Sequence, residues 1–261
     1  AKRKVLFTEF ILIHQSRRET TSIMNPFMAP VYYYARIDST LQAARTCLAE
    51  GCPDGTFIYA GYQTAGRGRL ANRQWLSPAG ENLLGTLILK ESASPDFTLR
   101  IGLAVSLTLD AFLPSSVCTA VKWPNDILIN GKKIAGILCE NAGGCILAGV
   151  GINLLQTAFL RSIEHTATSL AMIIGVDKCP SFEVFIPALL DQIQECLTRR
   201  DWNEEISRRL WKRGSAVRFM RGQQEEDIIE GILTGIASDG ALCITEADTE
   251  RRYYSGELIY S

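Results

Sequence analysis

Asn130-Gly131 stands between two apolar runs, DILI (126–129) and KKIAGILCE (132–140). A two-residue Asn-Gly loop is the strongest short signal for a β-hairpin, because both central residues of its turn take positive φ. The centre of the chain is thereby committed to antiparallel sheet. A two-residue turn pairs Ile129 with Lys132, Leu128 with Lys133 and Asp126 with Ala135. Alternation then puts Asp126, Leu128, Lys133, Ala135 and Ile137 on one face, and Lys132, Ile134 and Leu138 on the other. Asp126 and Lys133 become diagonal neighbours, roughly 7–8 Å apart at Cα. One face offers a carboxylate and an ammonium beside an apolar floor. A plain ion pair on a half-exposed sheet is the competing interpretation.

Further strands are expected at VYYYARI (31–37), TFIYAGY (56–62), ENLLGTLILK (81–90), VCTAVKW (117–123) and CILAGVGINL (145–154). Asp38-Ser39-Thr40 can cap a helix carrying Leu41, Ala44 and Leu48, with Gly51 just past its end. Residues 97–113 read as a mostly apolar helix stopped by Pro114. Residues 181–211 read as helical: Phe185, Leu189, Ile193 and Leu197 form a stripe that Trp202, Ile206 and Leu210 continue. Pro187 implies a late start or a kink there. From Gly214 the pattern changes to short strands, with Asp239-Gly240 as a hairpin turn and nine acidic side chains against four basic ones. The expected organisation is an N-terminal extension (1–27), a main domain (28–212) and a small all-β domain (213–261).

A length of 261 residues fits one large domain or two of unequal size. The balance of 27 Lys and Arg against 28 Asp and Glu excludes the broad basic surface of a whole-surface nucleic-acid binder. Eight cysteines, none spaced Cys-x-x-Cys, and two histidines exclude the usual zinc spacings. The cysteines mostly sit in apolar runs, as free buried thiols do, which points to a reducing cytosol and a cytoplasmic location. No apolar run reaches the roughly 18 residues of a membrane span. The opening AKRKVLFTEFILIHQSRR has its apolar middle interrupted by Glu9 and lacks a small-residue cleavage site, so it makes a poor secretory signal. Residues 1–23 are expected to lie outside the fold.

Two other segments carry chemistry. The loop QTAGRGRLANRQW (63–75) holds Arg67, Arg69 and Arg73, with no acid between Asp54 and Glu81. Guanidiniums on a glycine-loosened loop suit an oxyanion such as a polyphosphate; a solvated loop with scattered arginines is the alternative. Gly66-x-Gly68-x-x-Ala71 is no dinucleotide fingerprint, because Trp75 and Pro78 follow where a helix should begin. Gly149-x-Gly151-x-Asn153 puts two missing side chains and an amide on one strand face. That suits a flat ligand whose edge Asn153 reads, or a strand thinned for packing.

In order and spacing these segments resemble the biotin protein ligases. The resemblance rests on DSTLQAA (38–44), GYQTAGRGR (61–69), W-x-SPAGENL (75–83), KWPND (122–126) followed by Lys133 in KKIAGIL, and GVGIN (149–153). It covers roughly residues 31–155, and the β module after residue 214 also fits. KWPND with the downstream K-x-x-G-I is its specific part. The resemblance implies an α+β fold: a mixed, mainly antiparallel sheet flanked by helices, like the core of class II aminoacyl-tRNA synthetases, with a small C-terminal all-β barrel.

It also implies two-step chemistry with biotin, ATP and Mg2+: biotin attacks the α-phosphate, and a lysine of a biotin carboxyl carrier domain then attacks the mixed anhydride. By resemblance, the catalytic residues are Lys133, Arg69 and Asp126. Ser39, Thr40, Gln63, Gly66, Arg67, Lys133, Gly136 and Ile137 would bind biotin. Arg67, Arg69, Trp75, Lys122, Asn125, Gly151 and Asn153 would bind ATP, with Trp75 packing on adenine. Asp126 would orient the incoming lysine or help hold magnesium. GRGRLANRQW departs from the family pattern by one extra residue and the loss of a third glycine, which unsettles the register of Arg73. Residues 1–30 are too few for the DNA-binding domain of some members, so no repressor function is expected, nor any DNA or membrane partner. A homodimer is compatible with the resemblance. A lipoate-type transferase and a sensor of biotin or its adenylate are the alternative functions.

Overall fold

Asn130 and Gly131 take φ of 51° and 76°, and the hairpin they close is present. The computed structural model describes residues 18–70, 73–91, 94–222 and 227–259. In chain order the first elements are β1 (Glu19–Thr20), β2 (Val31–Tyr34), α1 (Thr40–Ala49), β3 (Phe57–Ala60), β4 (Asn82–Leu89) and α2 (Phe97–Phe112). Next come β5 (Thr119–Lys122), β6 (Asp126–Ile129), β7 (Lys132–Ala142), β8 (Cys145–Asn153) and α3 (Leu170–Ile174). A 3-10 turn (Val176–Lys178) leads to α4 (Phe182–Thr198) and α5 (Trp202–Arg209). The chain ends in β9 (Ala216–Met220), β10 (Ile228–Ile236), β11 (Leu242–Glu246), β12 (Thr249–Tyr253) and β13 (Glu257–Leu258).

The chain divides into two compact units. One comprises the described residues of Ala1–Ala93, Leu138–Ala158 and Ser169–Leu190; the other those of Ser94–Ile137, Phe159–Thr168 and Asp191–Ser261.

In the first unit the strand order is β1-β2-β3-β4-β8, followed by the end of β7. β2 and β3 are parallel because α1 crosses over between them, whereas β3–β4 and β4–β8 are antiparallel. The inward stripe of α1 (Leu41, Ala44, Cys47) closes on Ile58, Ala60, Ile88 and Leu147, all nearly free of solvent. Glu19 and Thr20 pair with Tyr33 and Tyr32, and Arg18 reaches Glu50 at 3.0 Å while covering the Tyr32 ring. The expectation that residues 1–23 stay outside the fold is thus corrected for 18–20: the extended backbone there finds the open edge of β2, which periodicity does not advertise. Residues 1–17 lie outside the described residues.

In the second unit β5, β6 and the start of β7 form an antiparallel meander. The stretch 181–211, expected to be helical, forms two helices. Arg100 of α2 donates from Nη1 to the carbonyls of Cys196, Leu197 and Arg199 at 2.9, 3.2 and 2.9 Å, which ends α4. Arg199 then grips Asp201 with two bonds of 2.8 and 3.1 Å ahead of α5. The small β domain is a five-stranded antiparallel sheet, β12-β11-β10-β9-β13, cored by Val217, Phe219, Leu233, Leu242, Ile244 and Leu258. Gly240 (φ 86°) turns between β10 and β11 as expected; Ala247-Asp248 (φ 43° and 67°) forms a second tight turn without glycine.

All eight cysteines are free thiols. Burial pushes the Cys47 thiol up to about 12, helped by its bond to Cys52, and the Cys196 thiol up to about 11. At pH 8 these groups hold almost no thiolate, the reactive form, whereas Cys118 is exposed. Brief alkylation of the native protein should therefore mark Cys118 and spare Cys47 and Cys196, as peptide mass mapping will show. Among the described residues no helix is long and apolar enough to cross a membrane.

Candidate functional site

Three of the expected residues meet at the start of α1. Ser39 is the helix's N-cap, with extended backbone (φ −157°), yet its side chain makes no capping bond. Gln63 supplies the cap instead: its Oε1 accepts from the Thr40 amide at 2.7 Å and from the Thr40 hydroxyl at 3.0 Å. Thr86 completes the chain, donating to Thr40 Oγ1 at 2.9 Å. With its carbonyl oxygen occupied twice, Gln63 presents its amide NH2, and Ser39 keeps its hydroxyl. Gln63 arrives there because residues 62–65 run alongside 37–38, through Ile37 N–H to Tyr62 O (3.0 Å) and Thr64 N–H to Ile37 O (2.9 Å). Sequence spacing alone gives no sign of this cap.

The arginine loop is a hairpin. Trp75 donates its N–H to Gly66 O (3.1 Å), Gly68 donates to Arg73 O (2.9 Å), and Arg67 bridges Gln74. In this hairpin Arg73 lies opposite Gly68. A Cβ on Gly66 would lie 2.5 Å from the Trp75 carbonyl oxygen, so the approach requires glycine. Arg67, Arg69 and Arg73 are all exposed. Arg67 Nη1 lies 3.9 Å from Glu140 of β7, which also pairs with Arg45 of α1. Neither Glu140 nor Arg45 stood out in the sequence.

Gly151 is closely packed. The indole of Trp75 lies on it, and a Cβ there would sit 2.6 Å from the ring. Asn153 is buried opposite Asn82 in the β4–β8 ladder. Asn82, also missed, donates to Gln156 Oε1 (2.7 Å) and Ser77 Oγ (2.9 Å) and accepts from the Leu154 amide (3.0 Å).

In the second unit the hairpin departs from the expected register. Ile129 faces Lys132 and Leu128 faces Lys133, but Ile127 faces Ala135 and Asp126 faces Gly136. A β-bulge after Lys133 adds one residue to β7 and breaks simple alternation. Its cause is tertiary: Lys133 uses its backbone elsewhere, donating to Thr166 O (2.7 Å) and accepting from Thr168 N–H (2.9 Å). Asp126 and Lys133 therefore come much closer than diagonal neighbours, with Lys133 Nζ 2.6 Å from Asp126 Oδ1. Asn125 donates from its side chain to Ile137 O at 3.0 Å, while its backbone carbonyl accepts from Ile137 N–H at 2.9 Å. Ile137 is buried, its Cδ1 near Gly102 of α2. Lys122 is 2% exposed, with Nζ 3.8 Å from Glu257 Oε1. Asp126 is the only carboxylate put forward for a metal, and among the described residues no group of three or more His, Cys, Asp or Glu side chains could hold one.

Residues 33–156 match the Biotin/lipoate A/B protein ligase family, and residues 214–259 match the Biotin protein ligase C terminal domain. A biotin–[acetyl-CoA-carboxylase] ligase of Paracoccus denitrificans is 32% identical over 230 residues, covering 80% of this chain and 92% of its own. A bifunctional ligase/repressor of Bacillus spizizenii is 29% identical over 239 residues, 87% of this chain and 72% of that protein. The biotin protein ligase of Aquifex aeolicus, solved in complex with biotin and ATP, superposes with a TM-score of 0.76 at 26% identity, covering 88% and 97% of the two chains. Together these define the biotin/lipoate class of protein ligases. Within that class, this chain belongs to the biotin protein ligase family.

Proposed function

We propose that this chain activates biotin with ATP and transfers it to a lysine of a biotin carboxyl carrier domain. In the first step a biotin carboxylate oxygen bonds to the α-phosphorus and pyrophosphate leaves. In the second the carrier amine attacks the acyl carbon, loses a proton and releases AMP. The observation that carries this reading is the Lys133–Asp126 pair at 2.6 Å, held on a bulged hairpin directly after KWPND. An ammonium fixed by its backbone on both sides suits a place where negative charge grows, because fixed charges need no reorganisation during reaction.

The remaining roles follow from chemistry. The Ser39 hydroxyl and the Gln63 NH2 suit the polar head of biotin; Gly136 and Ile137 suit its apolar body. Arg67 and Arg69, exposed and multidentate, suit the phosphates. Trp75, backed by Gly151, offers adenine a ring to stack on, and Asn153 an edge contact. Asp126 would help hold the Mg2+ of a metal–nucleotide complex, since phosphate-bound Mg2+ commonly takes only one or two protein carboxylates.

The test is biotin-dependent pyrophosphate release from ATP; a rate indistinguishable from that without biotin contradicts the reading. Gly66→Ala is a sharper probe of the loop. The added methyl must push the Trp75 carbonyl away, an overpacking cost of about 1–3 kcal/mol. The expected outcome is a KM for biotin raised about tenfold or more; an unchanged KM would place the loop away from the ligand.

A further inference from the structure

Lys122 ends β5 and faces Asp126 across the turn Trp123-Pro124-Asn125. Its ammonium is buried against Glu257 of β13, 3.8 Å away, with the Trp211 ring centred 5.9 Å from Nζ. The next residue is held by the same small sheet. Trp123 Nε1 donates to Gly240 O at 3.2 Å, and its ring lies 5.9 Å from that of Phe219 in β9. The far side of the turn is tied to the hairpin, Asn125 to Ile137 and Asp126 to Lys133. One three-residue turn therefore has the C-terminal sheet gripping its entrance and the Lys133 hairpin gripping its exit.

A buried ammonium is poor glue, since desolvation offsets much of its attraction and an apolar pair often stabilises as well. A charge pair does restrict direction, which apolar contacts leave loose. We propose that Lys122 and Glu257 are positioning residues for the first chemical step: they fix the Trp123-Pro124-Asn125 turn, and through it the placement of Asp126 against Lys133. The C-terminal sheet thereby contributes to the reacting site without touching substrate. Lys122 acts as an anchor in this role, not as a nucleotide ligand. This inference rests on the ligase reading above.

The experiment measures biotin-dependent pyrophosphate release by the full chain, with folding followed by circular dichroism at the assay temperature. Glu257→Gln keeps the shape and removes the charge; Lys122→Met keeps the length. Misplacement of a reacting group by about 1 Å costs up to roughly 10²-fold in rate. Each variant should lose about ten- to a hundredfold in kcat, with KM for ATP and biotin within about threefold of wild type. The double variant Lys122→Met/Glu257→Leu removes both charges of the pair together, so its melting temperature should return toward wild type while kcat stays low. That double variant decides the matter if the single ones unfold. Recovery of kcat together with stability would reduce the pair to a structural role and overturn the proposal. So would an ATP KM raised about tenfold at unchanged kcat, the mark of a nucleotide ligand. Wild-type protein releasing no pyrophosphate would overturn the ligase reading and this inference with it; an active wild type with unaffected variants overturns this inference alone.

Discussion

Lys133→Ala is expected to slow biotin-dependent pyrophosphate release by 10²–10³-fold and to leave the fold intact. The magnitude follows from removing one preorganised electrostatic contact at a reacting centre, about 2.7–4 kcal/mol. The fold should survive because Lys133 is held by its backbone, through Thr166 and Thr168, and alanine keeps both bonds. Its side chain is one-third exposed, so truncation opens no core cavity. Asp126 loses this ion pair, but its side chain is not fully buried (15% exposed) and its backbone keeps its place opposite Gly136. Steady-state release and a thermal melt check both halves. A rate within about threefold of wild type would remove Lys133 from the chemistry.

Arg69→Gly should separate making the adenylate from keeping it. Arg69 is exposed at the tip of the hairpin, and the bonds that build that hairpin, Trp75 to Gly66 and Gly68 to Arg73, run through backbone alone. The substitution leaves them in place. It removes a guanidinium and adds backbone freedom to a loop that already holds two glycines. A hydrogen bond to a charged group contributes about 1.5–3 kcal/mol, so biotinyl-adenylate should dissociate roughly 10–100-fold faster. A reactive anhydride released into solution acylates any accessible amine. Bystander proteins in the mixture should therefore acquire biotin with the variant and not with wild type. Unchanged dissociation, with labelling confined to the carrier, would show that the arginine loop does not retain the intermediate.

Both predictions rest on residues visible in the sequence, and the reason is local. Asn130-Gly131 specifies its turn by φ alone, and the strand–helix–strand order around α1 needs no tertiary knowledge. The bulge was not legible, because it arises where Thr166 and Thr168 compete for the Lys133 backbone from more than thirty residues away. The same holds for the break between α4 and α5, which Arg100 imposes from α2. Gln63 as a helix cap, Asn82 as the hub of a buried amide network and Glu140 as an acceptor for two arginines are likewise tertiary facts. Each is an ordinary polar residue whose meaning lies in what the fold brings beside it. Lys122 is a further case: its burial and its place 3.8 Å from Glu257 are set by the fold and not by the KWPND segment itself.

This chain, as a biotin protein ligase, should join biotin to a carrier lysine at the expense of ATP. Intact-mass spectrometry of a biotin carboxyl carrier domain tests it most directly, after incubation with the protein, biotin and MgATP. The expected result is a gain of one biotinyl group on one lysine, dependent on ATP, absent when lipoate replaces biotin and nearly absent with Lys133→Ala. No mass gain with active-folded protein, or an equal gain with lipoate, would contradict it.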